Sequence, residues 1–272
     1  MTFEVDIYLS RLGLGALSTT EEDLHMLQTR QMQAIAFENI APLLGTVPDL
    51  TPGAVWQKLV LEGQGGYCME QNTLLGAALT AFGFEHRPIL ARVRMGGPSG
   101  GPRSHLAFVV RLRGTGWLVD AGFGGPGPRA PLKIETGTEQ TLLRETFRFR
   151  DDMAAGEIVL ERKTPEGWFP LFGFDDMLPV QSDIEMSNFY CARSPQSPFP
   201  SNLMMARTTG SGRVSLFNRT LRQENSFGVT TKELEDATAL HRALSGSFLL
   251  SYGLETAEAI WARLPLESSQ AA

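Results

Sequence analysis

The stretch "HLAFVVRLRGTGWLVDAGFG" (105–124) decides how the chain folds. Leu106, Phe108, Val110 and Leu112 recur at every second position, the period of a strand with one apolar face. Gly114–Gly116 supply turn chemistry, and 117–124 reads as the returning strand. A hairpin of this kind seeds an antiparallel sheet. Strand-like pieces at 145–150, 157–163 and 168–172 extend it, and the sheet is expected to curl into a small barrel.

Outward from the hairpin the pattern changes. Upstream, Thr19 and Glu22 have capping-box spacing ahead of Leu24, Leu27, Gln31 and Ile35 at helical intervals. "FENIAPLLG" (37–45) breaks that helix. Thr51–Pro52 opens another, expected to reach Leu61 and stop at Gly63. Cys68 to Phe82 carries Leu74, Leu75, Ala78 and Leu79 on one stripe, with Gly83 as the stop. Downstream, "SPQSPFP" (194–200) marks a boundary. Two short strands flank Gly210–Gly212, Thr230 and Glu233 would cap a helix through Leu244, and a last helix covers roughly 255–264. The layout is helices, then sheet, then a mixed tail: an α+β fold class.

Composition narrows the function. A net charge of -6 with no Lys/Arg run argues against nucleic acid as a partner. The N-terminus has acids at Glu4 and Asp6 and lacks a signal-like apolar core, and no apolar run is long enough to span a membrane. Two cysteines, Cys68 and Cys191, make no disulfide framework, so a reducing, cytoplasmic location is expected. His25, His86, His105 and His241 are scattered without zinc-site spacing, and no metal is expected.

One cysteine stands out. "GQGGYCMEQN" (63–72) places Cys68 after a glycine turn and at the start of a helix. Thiolates are the nucleophilic form, and a helix N-terminus favours them. Equally, a lone buried cysteine packs as a small hydrophobe, which is how Cys191 after "SNFY" reads. A nucleophilic cysteine needs a base and the base an orienter; His105 and Asp120 are the candidates. In a hairpin centred on Gly114–Thr115, Asp120 would face Val109, on the side of the sheet that carries His105. The four-residue offset is about 13 Å at strand rise, so contact would need a bulge, strong curl or a shifted register. Without that contact, His105 is an edge residue and Asp120 a turn former before Gly122. "GFGGPG" (122–127) has the glycine spacing of a dinucleotide loop, but Pro126, Pro128 and Pro131 exclude the helix such a loop must open.

Taken in order, "FENI" (37–40), "GGYCMEQN" (65–72), "SHLAFVV" (104–110), "WLVDAGFGG" (117–125) and "DIEMSNFY" (183–190) resemble the motifs of the arylamine N-acetyltransferases over essentially the whole chain. The resemblance implies a catalytic triad of Cys68, His105 and Asp120 on a papain-like Cys-His-Asp core. It implies a helical bundle (1–85), a β-barrel (86–195) and a C-terminal α/β lid (196–272). Acetyl-CoA is the implied co-substrate, and small arylamines or arylhydrazines the implied acceptors. Phe37 and Phe123 match walls of the acceptor pocket by motif, and Val93 and Phe199 by position. Ser104, Gly122 and Gly124 are the expected contacts for the coenzyme, and the protein is expected to be a monomer or homodimer. One departure is Gln64, where the family usually has an arginine. Other outcomes of the same triad are transfer of a different acyl group, amide synthesis, or hydrolysis; a binding protein with an inert thiol is the non-enzymatic alternative.

Overall fold

The structure is a computed structural model and describes residues 3–265. The chain begins with α1 (Val5–Leu12) and α2 (Glu21–Ala34). Thr20, not Thr19, caps α2, its hydroxyl oxygen accepting the Asp23 amide at 3.1 Å. Thr20 and Asp23 have the same spacing as Thr19 and Glu22, which is why the sequence misplaced the cap by one residue. Strand β1 (Phe37–Glu38) and the single turn α3 (Ile40–Leu43) occupy the break. Helix α4 (Pro52–Trp56) continues as a π-turn over Gln57–Leu61, and Gly63 at φ 66° ends it. Helix α5 (Cys68–Ala81) ends before Gly83, whose φ of 79° suits a residue without Cβ.

The next eight strands make one antiparallel sheet. They are β2 (Glu85–Val93), β3 (Arg103–Leu112), β4 (Thr115–Val119), β5 (Leu132–Lys133), β6 (Glu139–Leu142), β7 (Glu145–Asp152), β8 (Glu157–Thr164) and β9 (Gly167–Phe174). Their order, β5-β4-β3-β2-β9-β8-β7-β6, curls into a nearly closed barrel. The edge strands β5 and β6 are joined by a side chain. The Gln140 amide accepts the Lys133 N–H at 2.9 Å and donates to the Lys133 carbonyl at 2.7 Å. That covers an edge which would otherwise expose unpaired backbone groups.

Both faces of β3 are buried. Phe108 and Val110 pack with Leu24, Leu27, Leu75 and Leu79 in the helical core. Ala107 and Val109 join Leu118, Phe147, Phe149 and Phe172 inside the barrel. His105 lies on this second face and is only 2% exposed, so it is not an edge residue open to solvent.

The hairpin turn differs from expectation by one residue. Phe108 pairs with Val119 and Leu112 with Thr115, which leaves Arg113 and Gly114 as the turn. Their φ values are 51° and 82°, the both-positive pattern of a type I′ hairpin turn. The shift moves Asp120 from opposite Val109 to opposite Ala107, and its offset from His105 falls to two residues, about 7 Å at strand rise. A histidine and an aspartate on one face span that diagonal.

After the barrel come α6 (Gln181–Arg193), β10 (Met204–Thr208), β11 (Arg213–Phe217), β12 (Thr220–Asn225) and β13 (Gly228–Glu233). Thr230 and Glu233 therefore lie in a strand rather than capping a helix. The β-branched run Val229–Thr231 pairs with β12. Helix α7 (Ala237–Arg242) starts later, capped by Asp236, and α8 (Leu254–Trp261) follows. The second sheet has the order β1-β10-β11-β12-β13. β1 thus comes from the helical part of the chain, and it also lies against Gly66, just before Cys68. That double pairing fixes Phe37 beside the start of α5.

Candidate active site

Cys68 is the first residue of α5. The carboxylate of Glu70, two residues on, accepts the Tyr67 amide at 3.2 Å and so closes the helix start around the cysteine. The Tyr67 hydroxyl bonds the Asn188 side chain on α6. Behind the cysteine, a Cβ at Gly122 would come within 2.8 Å of the Cys68 Cα. Only glycine lets the loop after β4 approach this closely.

The loop brings Asp120 with it. Asp120 Oδ2 lies 2.7 Å from His105 Nε2. Its other oxygen accepts from Asn72 Nδ2 at 2.9 Å and from the amides of Gly122 and Phe123 at 2.8 and 3.1 Å. Asn72 sits one turn after Cys68 on the same face of α5 and also accepts the Ala121 amide at 3.0 Å. Gln28 on α2 accepts the Asp120 amide at 3.0 Å. Asn72 and Gln28 hold Asp120 and its loop in place, and motif reading missed them. Their signal was present: polar amides at core-facing helix positions, fully buried here, must find partners.

The His105 ring is held edge-on by Phe123, with centroids 4.9 Å apart, and tilted against Phe172 at 5.0 Å. With Nε2 committed to Asp120, Nδ1 is left for the Cys68 side. Burial alone would lower the His105 pKa. The charge and hydrogen bond of Asp120, with Cys68 adding to them, outweigh burial and raise it to about 10. Burial opposes the Asp120 charge too, but His105, Asn72 and the Gly122 amide hold its pKa below the usual carboxylate value. The Cys68 thiol is pushed well up by its hydrogen-bonding neighbour Cys191 and by burial, against the downward pull of His105.

Cys191 is therefore more than packing. Ser104 is the extra residue of a β-bulge: Ala91 pairs with His105 and Arg92 with Arg103, leaving Ser104 unopposed. Its carbonyl accepts from Cys68 Sγ at 3.8 Å and from Cys191 Sγ at 3.3 Å.

These groups open onto a cavity of about 410 Å³. Phe37, Val93, Phe123 and Phe199 all line it, as do Ser104 and Gly122. Gly124 does not; it lies behind Phe37, whose ring a Cβ there would meet at 3.2 Å. Walls unmarked by the motifs come from Tyr190 and Cys191 on α6 and from Met205 and Leu216 on the second sheet, with Arg222 also on the lining. His25, His86 and His241 do not line it. Among the described residues no cluster of three or more His, Cys, Asp or Glu is placed to hold a metal, and no helix is long and apolar enough to cross a membrane.

A family profile described as N-acetyltransferase matches residues 20–256. The arylamine N-acetyltransferase of Mycobacterium tuberculosis is 35% identical over 255 residues, covering 91% of this chain and 89% of that protein. The solved structure of Mycobacterium marinum arylamine N-acetyltransferase superposes with a TM-score of 0.90 at 32% identity, covering 96% of this chain and 100% of that one. The same enzyme in complex with CoA superposes at 0.88, again at 32% identity, covering 96% of this chain and 100% of that one. Similarity of this extent runs through the helices, the barrel and the second sheet alike, and the chain belongs to the arylamine N-acetyltransferase family of acyltransferase enzymes.

Proposed function

We propose that this enzyme moves an acetyl group from acetyl-CoA to the nitrogen of small arylamines or arylhydrazines, by way of an acetyl-cysteine on Cys68. The observation that carries the reading is the chain of contacts from the Cys68 thiol through His105 to a fully desolvated Asp120, set on the wall of an aromatic cavity.

Proton transfer from Cys68 Sγ to His105 Nδ1 gives a thiolate beside an imidazolium that Asp120 stabilises. The sulfur attacks the thioester carbonyl carbon. A new S–C bond forms, the bond to the CoA sulfur breaks, and CoA departs with the imidazolium proton. The amine then attacks the acetyl-cysteine. The N–C bond forms, the Cys68 S–C bond breaks, and His105 accepts the amine proton. The Cys68 amide, which has no hydrogen-bond partner among the described residues, is the first donor for the developing oxyanion in both steps. Ser104 and Gly122 on the cavity wall are the proposed coenzyme contacts, with Gly124 acting behind Phe37. Phe37, Phe123, Phe199 and Val93 form the slot that favours a flat acceptor over water.

The test is intact-protein mass spectrometry after acetyl-CoA is added without amine. One acetyl group should appear, map to the peptide holding Cys68, and leave on addition of an arylamine. Double-reciprocal plots should be parallel. Intersecting plots, with no acetyl trapped at short times, would mean direct transfer between the two substrates.

A further inference from the structure

Cys191 makes and breaks no bond in the proposed acyl transfer, yet its sulfur lines the same cavity as Cys68. Both thiols donate to one oxygen, the Ser104 carbonyl, at 3.8 and 3.3 Å. The two sulfurs are thus no farther apart than the sum of those lengths. The bulge at Ser104 makes this possible, because it turns a carbonyl out of the β2–β3 ladder towards α5 and α6. Each cysteine is at least 95% buried but opens on a cavity wide enough for small molecules. The chain holds no third cysteine, so neither thiol has another intramolecular partner.

We propose that Cys68 and Cys191 form a reversible disulfide when the enzyme meets a hydroperoxide, with Cys191 as the resolving thiol that protects the nucleophile from irreversible oxidation. In the first step the Cys68 thiolate attacks one peroxide oxygen. An S–O bond forms, the O–O bond breaks and hydroxide leaves; the sulfur loses two electrons to the peroxide. In the second step Cys191 attacks the sulfenic sulfur. The S–S bond forms, the S–O bond breaks, and the leaving hydroxide takes up the Cys191 proton as water. Without a second thiol in reach, the sulfenic acid goes on with further peroxide to the sulfinic state, from which simple thiols give no return. The disulfide would link the start of α5 to the end of α6 and tie up the Cys68 sulfur, closing the enzyme to acetyl transfer while it lasts.

The proposal rests on the reading of Cys68 as the nucleophile, and the experiment separates the two. Wild type, Cys191→Ala, Cys191→Ser and Cys68→Ala are treated with a small excess of hydrogen peroxide. Each is then divided between intact mass measurement, non-reducing peptide mapping, and an activity assay before and after dithiothreitol. Wild type should lose the mass of two hydrogens, yield a linked Cys68–Cys191 peptide, and recover most of its activity with dithiothreitol. Both Cys191 variants should instead gain two or more oxygens on the Cys68 peptide and recover little. Acetyl-CoA supplied beforehand should delay the change, because the acetylated sulfur cannot attack peroxide. Wild type that gains oxygens on Cys68, forms no internal link and stays inactive would overturn the proposal. Activity surviving in untreated Cys68→Ala would instead overturn the nucleophile assignment, whatever the mass data show.

Discussion

Two buried carboxylates flank the start of α5, and their surroundings drive them in opposite directions. Asp120 is 1% exposed and Glu70 2% exposed, so burial raises the pKa of each. Asp120 ends below the usual value because His105, Asn72 and two backbone amides converge on it, and among the described residues none of these donors serves a second carboxylate. Glu70 ends above it. Burial is the largest influence, and Lys58, at 2.7 Å, must also serve Glu38 at 3.4 Å, whose charge repels that of Glu70. Burial alone therefore does not decide whether a carboxylate stays ionised; the ratio of donors to anions does. Asp120 is built to hold a charge for His105, whereas Glu70 and Glu38 share one cation to hold a loop.

The strongest way to break this contrast is Asp120→Asn. An amide nitrogen facing His105 Nε2 reverses that hydrogen bond and holds the wrong tautomer, so acetyl transfer should fall by about three orders of magnitude. The pH dependence of stability should change on both sides. The raised His105 pKa contributes stability that is full below 6.5 and lost as pH climbs through about 10. The lowered Asp120 pKa contributes stability present above 3.8 and lost as pH falls through its folded value. Urea titrations across pH should show wild type declining on both limbs more steeply than the variant. A rate within tenfold of wild type would remove Asp120 from the machinery.

The other carboxylate site is probed by Lys58→Met. The change leaves Glu38 and Glu70 buried without a cation, a loss of about 3 kcal/mol at neutral pH by the usual cost of halving a buried ion pair. Glu70 is then pushed further upward, and the sign follows. Stability is kept below its ordinary pKa of 4.5, where it is protonated, and lost as pH rises through the higher folded value. The deficit should therefore be larger at pH 7.5 than at pH 5. An equal deficit at both would make Lys58 a packing residue.

How much of this was legible in the sequence follows from which forces are local. The start of α5 at Cys68 and its end at Gly83 were legible, because caps and glycine stops act within a turn. The alternation in 105–112 placed His105 on the correct side of β3. The turn was misplaced by one residue because glycines at 114 and 116 both suit it; the choice was made by pairing with Trp117–Val119, not by the turn itself. Thr230–Glu233 mimics a helix cap and lost to strand pairing with β12. Asn72 stood in view within "CMEQN", but its duty depends on a loop that lies 48 residues on in the chain. Cys191 reads as an ordinary buried thiol until α6 is seen packed against Ser104.

A smaller effect sharpens the picture on the Asp120 side. Cys191→Ala removes the neighbour that does most to push the Cys68 thiol upward. The Cys68 pKa should fall, and the acid limb of the pH–rate profile should move to lower pH, with iodoacetamide alkylation shifting the same way. An unmoved limb would mean that burial and His105 alone set the thiol.

The smallest expected effect comes from Gln64→Arg. The Gln64 amide donates its backbone N–H to the Lys58 carbonyl at 3.0 Å, but its side chain makes no hydrogen bond among the described residues. The two residues that follow it, Gly65 and Gly66, lie against Glu38 and Glu70, the pair of acids that share Lys58. An arginine here would add a second cation and a planar set of donors, bringing the count of donors to anions on the Glu70 side closer to that around Asp120. The gain should be about 1 kcal/mol, since position 64 is partly open to solvent. The gain should grow in the Lys58→Met background, where the arginine would be the sole counter-charge, and the pH 7.5 deficit of that variant should shrink. Thermal melts of the four proteins, with and without each change, measure the coupling directly. If Gln64→Arg lowers the melting temperature in both backgrounds, the loop ahead of Cys68 has packed around glutamine and the shared-cation account of Glu70 loses its support.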